Sequence, residues 1–125
     1  PSLFEDSPFW HSAAVGMRFV RLVVVVPLVE EIFWRGFLMR YVIAGDREFQ
    51  QVPFGRHHWL SFGITTAAFI AIHQKEDWLG ALIFGSLMYS VCVRTKNLAA
   101  CVWMHAVANL ALGVYVMQTR QWGFW

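Results

Sequence analysis

The sequence predicts an all-α protein with polytopic membrane topology, a bundle of about four spanning helices preceded by an N-terminal interfacial lead-in. Composition is the first reason, because 58% of the 125 residues are hydrophobic and 14% are charged, against about 25% charged in soluble domains. Pattern is the second, since the apolar residues fall into long runs separated by short polar segments. The third is the run from Leu22 to Met39, which as a helix spans roughly 27 Å, close to the thickness of a bilayer core.

Charge and cysteine usage narrow the function classes. The formal net charge is +2, the basic residues are scattered, and the sequence has no Gly-rich phosphate loop. We therefore expect membrane lipid around the chain and no nucleic acid as a partner. Cys92 and Cys101 lack the spacing of a metal or redox pair, which favours small core residues over a disulfide or a metal site.

The first helix has a start, a kink and a stop in its sequence. Ser7 and Pro8 predict an N-cap followed by proline at the first helical position. The segment they open is either a separate interfacial piece or continuous with the first span. Pro27 predicts a kink about one turn before the glutamates, which would free backbone carbonyls near them. The segment 44–46 ends the helix.

The later elements follow from polar interruptions. Residues 45–58 predict a loop outside the bilayer, in which His57 and His58 are solvated rather than ligands. Three apolar helices and a tight turn follow, the first of them short for a full span and the second with small residues that allow close packing. The predicted helices are Trp59 to His73, Trp78 to Val93 with the small residues Gly80, Gly85 and Ser86, and Leu98 to Met117. The tight turn 94–97 separates the last two, and aromatic residues at 121–125 are expected at the membrane interface.

Two adjacent carboxylates and an arginine stand within the first apolar run. A charged side chain at the middle of a bilayer costs at least a few kcal/mol by insertion scales, so these residues should face a protein interior or a wet cavity. Glu31 and Arg35 are spaced i, i+4 and can pair, which leaves Glu30 without a local partner. The alternative is an ionic network that only fixes the packing of neighbouring helices.

Polar groups on two other helices complete a candidate site. His73 alone would fit an interfacial helix end, and His105 with Asn109, one turn apart, would fit an interhelical hydrogen-bond pair. However, Glu30, His73 and His105 lie on three different helices. A bundle that buries them away from lipid tends to bring them into one cavity.

These residues form three motifs, which resemble those of the CPBP intramembrane proteases, the family that includes the CAAX prenyl endopeptidases. The family motifs are Glu-Glu-x-x-x-Arg, Phe-x-x-x-His and His-x-x-x-Asn, matched here by Glu30, Glu31 and Arg35, by Phe69 and His73, and by His105 and Asn109. The resemblance runs from about Val15 onward. Family members usually carry further membrane helices before this core, so residues 1–125 are expected to form one membrane-embedded domain, the catalytic core of a longer protein.

The segments 33–38 and 121–125 are most similar to the bacterial branch found beside exosortase sorting systems, which implies the inner (cytoplasmic) membrane of a bacterium. The family resemblance implies peptide-bond hydrolysis near the membrane surface. The implied roles are water activation by Glu30 and His73, support by Glu31 and Arg35, and oxyanion stabilisation by His105 and Asn109.

The chemistry of these side chains agrees with the implied roles, but it leaves open whether a metal is bound and how deep in the membrane the site lies. Donors to an oxyanion are commonly worth about 2.7 to 4 kcal/mol each. The same Glu30, His73 and His105 could instead hold a divalent metal such as zinc, although they lack the compact His-Glu-x-x-His spacing. The expected cofactor is therefore none or a single such metal.

The second question is the depth of the site in the membrane. If each helix crosses the bilayer in a simple span, His73 lies about 10 Å from the middle of the bilayer by helix rise, whereas Glu30 and His105 lie near the middle. Either the second helix ends inside the bundle with 74–77 in a wet cavity, or the site lies nearer one interface.

The sequence thus predicts an intramembrane endopeptidase acting on a membrane-anchored peptide or protein. Two other classes remain open: a scaffold or immunity-type membrane protein without turnover, and an ion or proton carrier that uses Glu30 and Glu31 as a relay. The distribution of basic residues determines the membrane orientation only weakly. It favours as cytoplasmic the side that carries Arg40, Arg47, Arg56, Arg94 and Lys96.

Overall fold

The computed structural model describes residues 7–120, and in that range the chain consists of helices joined by turns, with no strand. The expected aromatic end at 121–125 lies outside the described residues. Four helices result: α1 Pro8–Ala44, α2 Trp59–Ala71, α3 Trp78–Thr95 and α4 Leu98–Thr119. Short 3₁₀ turns at Phe49–Gln51 and Lys75–Asp77 lie in the connections before α2 and α3.

The helix lengths match a membrane bundle. Three segments are long and apolar enough to cross a bilayer, namely Pro8–Ala44, Lys75–Thr95 and Leu98–Thr119. Helix α2 has 13 residues, which is about 20 Å and shorter than the apolar core of a bilayer. Large apolar side chains are exposed on the outside, such as Trp59 at 76% and Trp103 at 74%. The all-α, polytopic prediction is confirmed, with three long helices and one short one.

Helix α1 is continuous over 37 residues, so the N-terminal lead-in and the first span are one helix. It begins at Pro8, as predicted, although the Ser7 side chain makes no capping hydrogen bond. Two π-helical segments interrupt its α-helical pattern: Arg21–Val25 before the glutamates and Ile32–Leu38 after them. Such wide turns occur frequently at functional sites.

The first π-helical segment and Pro27 together leave one carbonyl free. The Val26 N–H donates to the Arg21 carbonyl, one residue further back than in an α-helix. The next residue, Pro27, has no N–H to donate. The Leu22 carbonyl accepts instead from Asn109 Nδ2 of α4, at 2.8 Å. This confirms the prediction that Pro27 opens a backbone carbonyl near the charged site.

Small residues bring the helices together at particular points. A Cβ on Gly85 of α3 would lie 3.2 Å from the Phe69 ring of α2, and one on Gly113 of α4 would lie 2.7 Å from the Phe19 ring of α1. A Cβ on Gly80 would meet nothing within 4 Å, so the prediction of close packing there was wrong. Gly80 lines a cavity instead.

The core nearest the 45–58 loop is apolar and includes both thiols. Cys92 and Cys101 are free, fully buried, and packed with Met39, Met88 and Tyr89. This agrees with the prediction that the cysteines are small core residues.

Residues 45–58 form the predicted loop, which begins where Gly45 ends α1 with a φ of 60°. Arg40 ties the loop to the helix end, because Nε donates to the Val52 carbonyl at 2.9 Å and Nη2 to the Gln50 carbonyl at 2.9 Å. His57 and His58 are exposed, as predicted, but they are not merely solvated. The Tyr89 hydroxyl lies 2.9 Å from His57 Nδ1 and accepts from the His58 N–H at 3.1 Å.

Candidate active site

A cavity of about 670 Å³ lies between the four helices and contains residues of all three motifs. Glu30 comes from α1, His73 from the segment after α2, and His105 and Asn109 from α4. The structure therefore brings these four predicted residues to one space. Glu31 and Arg35, the other two, lie buried beside it.

The buried part of the site is a charge cluster around Glu31. Its Oε1 lies 2.7 Å from His105 Nδ1, and its Oε2 lies 3.5 Å from Arg35 Nε. Glu31 and Arg35 are 1% exposed and His105 is 3% exposed. Removing such charges from water is costly unless they pair. The cluster meets this requirement by placing one carboxylate between two groups that can be cationic, and the predicted Glu31–Arg35 pair is present.

Glu30 is the carboxylate with access to the cavity. Its side chain is 31% exposed, and its Oε2 lies 3.5 Å from His105 Nε2. Adjacent residues on a helix point about 100° apart. This difference in direction explains why Glu31 faces the buried cluster while Glu30 faces the cavity. His105 connects the two carboxylates, with one ring nitrogen toward each.

His73 is held in one tautomer by a backbone carbonyl. Its Nδ1 lies 2.6 Å from the Phe69 carbonyl oxygen, and a carbonyl can only accept, so Nδ1 carries the proton. In neutral His73, Nε2 is therefore an acceptor. Trp78 Nε1 donates to the His73 backbone carbonyl at 3.1 Å, which fixes the turn that carries the imidazole.

The segment after α2 carries His73 and the next polar residues into the cavity. Helix α2 ends at Ala71, and Gln74, Glu76 and Asp77 line the same cavity as Glu30 and His105. This fits the first of the two alternatives, in which the short helix ends within the bundle and its polar continuation enters the cavity. The three acidic groups Glu30, Glu76 and Asp77 give that cavity an acidic wall.

Two contacts of the site were missed by sequence reasoning. His105 and Glu31 are 74 residues apart, and Asn109 and Leu22 are 87 apart. Pro27 signalled that a carbonyl would need a donor, but nothing in the sequence identified Asn109 as that donor. One N–H of the Asn109 side-chain amide is thereby engaged, so its second N–H and its side-chain oxygen are left for a ligand in the cavity.

The donor set does not assemble into a metal site. Over residues 7–120, no three His, Cys, Asp or Glu side chains stand close enough together to hold a metal ion. Glu30, His73 and His105 share the cavity, while His73 Nδ1 and His105 Nδ1 are engaged with Phe69 and Glu31. Metal dependence stays a prediction for experiment.

The fold and this cavity define a polytopic membrane protein with a water-accessible cluster of carboxylates and imidazoles inside its helix bundle. A family model described as type II CAAX prenyl endopeptidase Rce1-like matches residues 12–111, which is most of the chain. The chain belongs to this family, a family of CAAX intramembrane endopeptidases. No curated protein and no solved structure matches it.

Proposed function

We propose that this protein is an intramembrane endopeptidase that hydrolyses a peptide bond of a membrane-anchored peptide or protein, with Glu30 as the general base. One observation carries the proposal. Of the two adjacent glutamates, Glu31 is buried and paired with His105 and Arg35, whereas Glu30 is partly exposed and faces the cavity. A carboxylate in reach of both water and a substrate can move protons between them.

The proton path starts at a water held between Glu30 and His73. The lone pair on His73 Nε2 accepts one hydrogen bond from this water, and the Glu30 carboxylate takes its other proton as the oxygen attacks the scissile carbonyl carbon. A tetrahedral intermediate with a negative oxygen results. Glu30 then gives the proton to the leaving amine as the carbon–nitrogen bond breaks, which returns the carboxylate to its starting state.

The developing oxyanion needs donors that are already in place, because donors that do not reorganise contribute most. His105 Nδ1–H is taken by Glu31, so Nε2 donates when His105 is the imidazolium, a cation held between the Glu31 and Glu30 carboxylates. In that form Nε2–H, 3.5 Å from Glu30 Oε2, can donate from the cavity wall. Asn109 contributes its remaining N–H, since the other is held by the Leu22 carbonyl. Both residues then act as oxyanion donors.

Glu31 and Arg35 act as positioning residues. The Glu31 carboxylate accepts from His105 Nδ1–H, which holds the ring and favours the imidazolium whose opposite N–H is directed at the cavity. Arg35 offsets the charge that Glu31 would otherwise leave buried. This division explains why two adjacent glutamates serve the same site.

The substrate class follows from the surroundings of the cavity. Its walls combine apolar residues such as Leu22, Phe84 and Leu112 with the polar groups of the three motifs. An extended segment of a membrane-anchored chain can therefore place a peptide bond there, and a prenyl group is not required by this chemistry. We further propose the exosortase-associated bacterial branch and the bacterial inner membrane, with the 45–58 side cytoplasmic.

The experiment compares membrane proteomes of cells that carry the intact gene, the Glu30→Gln gene or no gene, with mass spectrometry of new protein termini. Endopeptidase activity predicts a terminus that appears only with the intact gene. A scaffold would give the same termini in all three strains, and this result would reject the proposal. A carrier would show ion flux in liposomes that depends on Glu30, with no new terminus.

A further inference from the structure

We propose that the protein has a second site, a groove that binds an anionic phospholipid at the end of the bundle opposite the catalytic cavity. The groove has a volume of about 330 Å³ and lies between the start of α2 and the last turns of α3. Its lining includes His57, Trp59, Phe62, Ser86, Tyr89 and Arg94. None of these residues belongs to the three motifs, so the inference stands apart from the proposed function.

The charge of the groove is positive. No carboxylate lines it, and Arg94 has no ion pair with an acidic group within residues 7–120. The N-terminus of α2 adjoins the groove at Trp59; His58 already caps the Leu60 N–H there, and the positive end of the helix dipole favours a nearby negative charge. An arginine beside such a helix start suits a phosphate group.

The groove extends along α3 over a distance that suits a lipid rather than a free ion. Ser90 and Ser86 lie one and two turns before Arg94 on α3, roughly 6 and 12 Å toward the middle of the helix. The Ser90 hydroxyl is engaged with the Ser86 carbonyl at 3.0 Å. The Ser86 hydroxyl has no protein partner in the described part of the chain and can donate to an ester oxygen below a phosphate. Trp59 and Phe62 supply an apolar wall for an acyl chain.

Tyr89 gives the groove a fixed shape. Its buried hydroxyl bonds to the backbone of His58 and lies 2.9 Å from His57 Nδ1, which holds the loop against α3. His57 also packs edge-on against the Trp59 ring at 4.6 Å between centroids. Basic pockets between membrane helices are known to bind anionic headgroups. The geometry thus assigns one occupant, a phospholipid with a net negative headgroup.

The test uses the purified full chain in detergent and counts bound lipid by native mass spectrometry. Phosphatidylglycerol should bind, phosphatidylcholine should bind much less, and soluble glycerol phosphate should not compete. Arg94→Gln should weaken phosphatidylglycerol binding by about fivefold, the effect of one basic residue near an anionic surface. Lys96→Gln is the matched control, because Lys96 lies at the same end and does not line the groove; it should bind as the parent protein does.

A second variant distinguishes binding in the groove from a general attraction of anionic lipid to positive charge on the protein. Ser86→Leu fills the space without changing any charge and should remove the bound phosphatidylglycerol. Equal losses in Arg94→Gln and Lys96→Gln, or normal binding in Ser86→Leu, would overturn the site. Competition by soluble glycerol phosphate would make it a phosphate site and overturn the lipid assignment.

Discussion

The two ends of the bundle satisfy buried polar groups in different ways. At the loop end, Arg40 donates to three backbone carbonyls and Tyr89 bonds to the His58 backbone. At the cavity end, Glu31 is matched by side chains from its own helix and from α4. Backbone partners are fixed by the fold, whereas side-chain partners carry titratable protons.

This difference in partners indicates a different role for each end of the bundle. An arginine held by carbonyls cannot exchange protons with its partners and serves only to anchor the chain. A carboxylate, an imidazole and a second carboxylate in a row can hold a proton in several places. The comparison therefore predicts that substitutions in the row Glu30, His105 and Glu31 change turnover. Substitution of Arg40 should instead change stability and leave turnover unchanged.

Glu30→Gln is the sharpest way to break the comparison at the cavity end. It should lower cleavage at least about a hundredfold while the protein still inserts and folds, because general-base contributions commonly reach 10² to 10⁴. The measurement is the rate of substrate cleavage per folded molecule in membranes. Glu76→Gln, which removes another carboxylate of the same cavity, is the matched control and should retain most activity. Near-normal cleavage by Glu30→Gln would reject Glu30 as the base.

Arg35→Lys tests whether the buried cluster serves both folding and chemistry. Lysine keeps the charge but loses the planar group that faces Glu31. We expect a loss of roughly 0.5 to 3 kcal/mol of stability, the usual range for a point substitution, together with slower cleavage because His105 is less well held. Thermal melting and turnover are measured together, with the exposed Arg56→Lys as the control. If both stay unchanged, Glu31 depends on a different partner.

Arg40→Gln sharpens the comparison from the loop end. The variant loses donors to the Gly36, Gln50 and Val52 carbonyls. Melting in detergent should show a destabilisation of about 1.5 to 3 kcal/mol, as for the loss of a hydrogen bond from a charged group. The cleavage rate per folded molecule should stay the same. A large loss of turnover at full folding would mean that the two ends are coupled.

Metal removal is expected to have the smallest effect. The purified protein should retain its activity after exhaustive chelation and carry well under one zinc per chain. Elemental analysis and a cleavage assay before and after chelation provide the measurement. Activity lost on chelation and restored by zinc alone would instead make Glu30, His73 and His105 candidate ligands.

Much of this fold could be predicted because its signals are local. Pro8 marked the start of α1, Gly45 marked its end, and the polar residues 94–97 marked the turn between α3 and α4. Helix α2 was predicted to reach His73, but it ends at Ala71. The His73 N–H bonds to the Ile70 carbonyl, three residues back, so the chain tightens there before entering the cavity.

The candidate site was predictable only in part. The motifs named the residues, and i, i+4 spacing gave the Glu31–Arg35 pair. Spacing within one helix cannot say which carboxylate a histidine on another helix will bind, so the Glu31–His105 contact needed the structure. The catalytic roles of the motif residues other than Phe69 stay predictions.

The second π-helical segment, Ile32–Leu38, lies between the glutamates and Arg40. Each closed turn there contains one residue more than an α-helical turn. If the same residues wound as an ordinary α-helix, the extra residue would turn the two halves of α1 against each other by about 100°. The cavity and the loop anchor could then no longer both face their partners. The π-helical winding of this segment therefore sets the angle at which the two ends of α1 face their partners.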